Sequence, residues 1–185
     1  MMINTPTLLT LLRIALIPVF VLFFYMPVWW SHIAATTIFS IAAITDWLDG
    51  YLARKLGQTS AFGAFLDPVA DKLMVAVALV LIVQSEPTIW LAIPSAVIIG
   101  REITVSALRE WMAEIGKSSK VAVSQLGKIK TTAQLTALIV LIYKEPLWGL
   151  PMREIGIISL YLAAILTLWS MMAYLSKAWA TFSDH

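Results

Sequence analysis

The run D-W-L-D-G-Y-L-A-R-K-L-G-Q-T-S-A-F-G-A-F-L-D-P-V-A-D, residues 46–71, sets Asp46, Asp49, Asp67 and Asp71 among apolar side chains. A carboxylate in such surroundings is costly unless something compensates it. Asp46, Asp49, Gly50, Ala53 and Arg54 stand at offsets 0, 3, 4, 7 and 8, which is one continuous helical face. Gly63, Asp67 and Asp71 recur every four residues and form a second stripe. Gly57 and the polar residues 58–60 predict a turn that folds the two helices antiparallel and brings the stripes together.

The rest of the chain says what those helices sit in. Of 185 residues, 60% are hydrophobic and only 13% charged, and the mean hydropathy is +0.85. A soluble domain carries about 25% charged residues. The expected class is therefore an all-α polytopic membrane protein in contact with the lipid bilayer. With no cysteine, disulfides and thiolate-ligated zinc are excluded. His32 and His185 stand alone, which argues against a histidine metal site. A net charge of +2 is too small to imply nucleic acid as a partner. Arg13 interrupts the first apolar run, and no small-residue cleavage site follows, so this segment reads as a retained helix rather than a signal peptide. No linker or solenoid period divides the chain, and residues 1–185 read as one transmembrane domain.

A span needs roughly 20 mainly apolar residues. Six candidates follow, at 7–26, 33–56, 62–83, 89–108, 125–143 and 155–177, with Trp29, Trp30, Trp90, Trp148 and Trp179 near their ends as an aromatic belt. Arg13, Arg54, Lys55, Lys72, Arg101, Arg109, Lys117, Lys120, Lys128, Lys130 and Lys177 then fall on or near one side, leaving Lys144 and Arg153 for the other. The positive-inside rule puts the first group, both termini and the aspartate run at the cytosolic face.

Four facing carboxylates repel one another. Divalent cations with oxygen ligands remove that penalty, and Mg²⁺ or Mn²⁺ suits such a set. Gly50, Ala53 and Gly63 leave the cleft wall without bulk, so that a flat ring and a diphosphate can approach the backbone. Small residues at this spacing also let membrane helices pack closely. Arg54 fits a snorkelling helix end on its own, and an anion partner beside the acids.

The full pattern, D-x2-D-G-x2-A-R-x8-G-x3-D-x3-D, resembles the signature of the CDP-alcohol phosphotransferases, membrane enzymes that move a phosphatidyl or related group from a CDP-linked donor to an alcohol. The similarity extends to N-T-P-T-L-L-T-L-L-R at the start, R-E-I-T-V-S-A-L-R-E-W from Arg101 and G-K-I-K-T-T-A-Q from Gly127. These resemble bacterial members that act on glycerol 3-phosphate. At Thr7 many relatives have asparagine, so no donor-binding role is carried onto it.

The resemblance implies six membrane helices, two divalent cations (Mg²⁺ or Mn²⁺), a homodimer and a bacterial cytoplasmic (inner) membrane location. It implies that CDP-diacylglycerol and sn-glycerol 3-phosphate give phosphatidylglycerophosphate and CMP. Asp46, Asp49, Asp67 and Asp71 are then the metal ligands, with Asp71 also the catalytic base, while Asn4, Gly50, Ala53, Arg54 and Gly63 line the donor site. A phosphorylated acceptor needs fixed cations, and Arg101 and Arg109 share a helical face about 12 Å apart at 1.5 Å per residue. Their planar forks suit phosphate, and Lys128 and Lys130 can add point charges. Two positions apart, those lysines cannot both face inward on a regular helix, so the arginines are favoured. Inositol phosphate, serine or phosphatidylglycerol remain alternative acceptors. A small cation transporter is the remote alternative, because intramembrane acids also line ion paths.

Overall fold

The computed structural model describes residues 5–56, 61–114, 125–146 and 149–182. Six helices make up the described chain: α1 (Thr5–Tyr25), α2 (Ser31–Leu56), α3 (Ala61–Ser85), α4 (Ile89–Glu114), α5 (Gln125–Tyr143) and α6 (Met152–Phe182). They fall where the apolar runs predict, and α4 and α6 extend beyond the expected ends. Thr7–Tyr25, Ile89–Glu114 and Met152–Met172 are long and apolar enough to cross a membrane, and Ile129–Tyr143 is a shorter apolar helix. The aspartates that interrupt α2 and α3 lower the hydropathy of both helices where they face Thr10 and Arg13 of α1.

The short connections from α1 to α2 and from α3 to α4 make those pairs antiparallel. α1 packs on α2 and α3, α5 on α2, α3 and α6, and α4 on α3 and α6. Between α1 and α2 the chain turns within five residues, where Val28 N–H donates to the Met26 carbonyl at 2.9 Å and Ser31 N–H to that of Val28 at 3.1 Å. Pro18, Pro68 and Pro94 lie inside helices. Such prolines are tolerated in membrane helices because neighbouring groups satisfy the freed backbone carbonyls.

The burial pattern confirms the membrane class. Leu22, Val80, Ile103, Ile158, Trp169 and Met172 are all exposed, on four different helices. A soluble bundle would turn such residues inward; here lipid is the solvent for them. Trp29 and Trp90 are also exposed, at the ends of helices, as an aromatic belt requires. Inside, Phe20, Phe39, Leu79, Ile98, Leu138 and Leu160 interdigitate with alanines. The Phe20 ring lies 5.8 Å from that of Phe39 and 6.0 Å from that of Phe24, joining α1 to α2. At Gly156 a Cβ would stand 2.6 Å from Leu141 Cδ2, so α5 and α6 approach closely only because that position lacks a side chain.

Candidate active site

Helix periodicity first creates the site. Thr10 and Arg13 on α1 are three residues apart and share a face. Asp67 and Asp71 do the same on α3, one and two turns beyond the buried Gly63. Packing α1 against α2 and α3 brings Asp46, Asp67 and Asp71 onto one wall of a cavity of about 400 Å³. α4, α5 and α6 supply the opposite wall with Arg101, Glu102, Arg109, Lys130, Gln134 and Ser170.

The acidic wall is tied to α1. Arg13 is only 1% exposed, and its guanidinium NH1 meets Oδ1 of Asp46 at 2.7 Å and Oδ1 of Asp71. The Thr10 hydroxyl donates to Asp67 Oδ1 at 2.5 Å. Among the described residues no three acids, histidines or cysteines close into a metal-ligand group, and the Arg13 guanidinium meets both Asp46 and Asp71. The donor set still fits a divalent cation. Two carboxylate oxygens that reach one nitrogen can reach one cation, and both are hard oxygen ligands of the kind Mg²⁺ and Mn²⁺ take. Asn4 lies outside the described residues. Of Asp49, Gly50, Ala53, Arg54 and Lys128 only the helical backbone is described.

The basic wall is a network. Arg101 NH1 donates to Glu102 Oε1 at 2.8 Å, and Arg101 NH2 to Ser170 Oγ at 2.8 Å. Lys130 Nζ donates to the same Glu102 oxygen at 2.5 Å. Arg101 and Lys130 are both buried, at 7% and 5% exposure, whereas Arg109 is exposed two turns further along α4. Lys130 lines the cavity, as does Lys72, and it is as deeply seated as Arg101.

Sequence reasoning missed five residues here. Arg13 was visible as the charge that breaks the first apolar run, and Glu102 as an acid beside Arg101 inside another. Either is a signal of an intramembrane partner. Thr10, Gln134 and Ser170 carry no such signal, because their place depends on which helices become neighbours.

The model of the CDP-alcohol phosphatidyltransferase family matches residues 3–169. The chain belongs to that family. As a CDP-alcohol phosphatidyltransferase it is similar along its whole length to curated proteins named CDP-diacylglycerol–glycerol-3-phosphate 3-phosphatidyltransferase. Those of Shigella flexneri serotype 5b (strain 8401) and Escherichia coli (strain K12) are each 55% identical over 184 residues, covering all of both chains.

Proposed function

We propose that this protein transfers the phosphatidyl group of CDP-diacylglycerol to sn-glycerol 3-phosphate, releasing CMP, at the cytosolic face of a bacterial inner membrane. One observation carries the choice of acceptor. On the wall that α4, α5 and α6 supply, Arg101, Arg109 and Lys130 stand with a single acid, Glu102, so that this wall carries two more positive charges than negative ones. A phosphate monoester carries a charge close to −2 near neutral pH. The surplus matches it, and Arg101 adds a planar fork. Neutral serine gains nothing from that surplus, and the phosphodiester of phosphatidylglycerol matches half of it. The relatives' names support the same substrates.

Each wall then has a task. Asp46, Asp49, Asp67 and Asp71 would hold two divalent cations, Mg²⁺ or Mn²⁺, which when bound neutralise the donor diphosphate and stabilise departing CMP. Asn4, Gly50, Ala53, Arg54 and Gly63 would line the cytidine diphosphate site. Arg101 and Lys130 hold the acceptor's phosphate, with Arg109 further out on α4 and Lys128 beside Lys130 in sequence. The acceptor hydroxyl attacks the phosphorus bearing diacylglycerol, the bond from that phosphorus to the CMP oxygen breaks, and Asp71 takes the hydroxyl proton. General-base assistance of this kind supplies about 10²–10⁴-fold. The lipid-facing helices let acyl chains stay in the bilayer while the headgroup meets a water-soluble acceptor, and part of this apolar surface would serve a homodimer.

Purified protein given CDP-diacylglycerol with Mg²⁺ or Mn²⁺ is expected to release CMP with glycerol 3-phosphate, and not with inositol phosphate, serine or phosphatidylglycerol. Faster release with any of those three would reassign the acceptor.

A further inference from the structure

Arg13 is the most deeply buried charge at the site, and the reaction just described gives it no part. A buried guanidinium is costly unless anions pair with it in good geometry. Here one nitrogen gathers an aspartate from α2 and another from α3, while Thr10, one turn earlier on α1, holds Asp67. A helix with no acid of its own thus ties down three acids.

We infer that Arg13 is a resident counter-ion and positioning residue: it holds Asp46 and Asp71 together and competes with divalent cations for their oxygens. The competition follows from charge. The Oδ1 atoms that meet the guanidinium are the hard ligands a divalent cation would take, and two cations on the same oxygens repel. A guanidinium displaced from the carboxylates retains its fork of donors, whose preferred partners include phosphate oxygens. The anion that arrives beside these acids is the donor's diphosphate. Arg13 therefore passes from carboxylate to diphosphate as the site loads, and keeps the acid cluster assembled until then. This rests on the reading of Asp46, Asp67 and Asp71 as cation ligands.

The test is thermal unfolding of the full-length protein in detergent, without substrates, from EDTA through a titration of Mn²⁺ alone. Arg13→Met is expected to lower Tm in EDTA by roughly 5 °C or more, since two acids lose their shared partner. Saturating Mn²⁺ should restore most of that loss. The Mn²⁺ concentration giving half of the stabilisation should fall at least about threefold, because a competing charge is gone. Arg13→Lys, which keeps the charge, should stay near wild type in both respects. A loss of Tm that persists undiminished at saturating Mn²⁺, an unchanged or higher half-point, or an Arg13→Met protein that fails to fold even with Mn²⁺ would each overturn the proposal. So would a half-point for Arg13→Lys as low as that of Arg13→Met. A wild-type Tm indifferent to Mn²⁺ would instead remove the cation-ligand reading, and the counter-ion proposal with it.

Discussion

The two ends of the bundle treat charge in opposite ways. At one end, acids from α2 and α3 converge on α1, where Arg13 holds two of them. At the other end, Glu86 and Arg153 form a two-pronged pair, with Arg153 Nε at 2.8 and 3.0 Å from the two Glu86 oxygens. Lys144, in a left-handed backbone conformation with φ 59, rests its ammonium 5.2 Å from the Phe24 ring centre. Charges at that end are locally balanced and their cavity is smaller, about 220 Å³. At the first end a larger cavity carries mostly acids on the side of α2 and α3 and mostly cations on the side of α4 and α5. Balanced pairs anchor a helix end in the interface; segregated charge is what a charged ligand can occupy.

Removing a reacting or acceptor-binding group at the first end should cost chemistry far more than stability, unlike the loss of Arg13. Asp71→Asn keeps shape and removes the proposed base, so turnover in a CMP-release assay is expected to fall about 10²–10⁴-fold, with donor binding largely retained. Near wild-type turnover would remove Asp71 from that role. Arg101→Ala takes away charge-assisted hydrogen bonds on the opposite wall. It should raise the KM for glycerol 3-phosphate about 10- to 100-fold and change that for CDP-diacylglycerol far less. Equal changes in both constants would mean that Arg101 supports the cavity without reading the acceptor.

Breaking the far end should do the reverse. Gly156→Val places a side chain against Leu141 where no space exists, at an expected cost of about 1–3 kcal/mol. A Tm lowered by several degrees, with turnover at low temperature near wild type, would keep the two ends separate. Lost turnover at unchanged Tm would join them. Glu86→Gln is the mildest. The hydrogen bond from Arg153 holds the Glu86 carboxyl below its ordinary value of 4.5, outweighing the opposing effect of partial burial. A carboxyl lowered by folding contributes stability above its unfolded value, and that contribution disappears as pH falls through the lowered one. Wild type should therefore melt about 1–2 °C above Glu86→Gln at neutral pH, and the gap should close toward strongly acidic pH. A gap that persists unchanged in acid would assign the difference to packing.

Much of this was legible in the residues. Apolar runs punctuated by glycine and proline located the six helices of the described chain, since a backbone away from water must satisfy its own hydrogen bonds and a helix does so within one run. The aspartate stripes were legible because both acids of each pair lie on one helix, at spacings fixed by its turn. What could not be read is what joins helices distant in sequence. Arg13 lies 58 positions from Asp71, and Arg101 lies 69 from Ser170. No local periodicity connects either pair. Glu102 was overlooked for a different reason: beside two expected anion-binding cations an acid looks out of place, until its part in aligning Arg101 with Lys130 is seen.

The division between the walls also bears on how such an enzyme changes over evolutionary time. The acids and their small neighbours, which would meet the shared donor, sit on α2 and α3, with α1 as their support. The groups expected to meet the acceptor sit on α4, α5 and α6. New acceptors can then be explored by substitutions at positions such as 102, 130 and 170 while the half that activates the nucleotide lipid is left untouched. One scaffold of six helices can in this way give rise to lipids with many different headgroups.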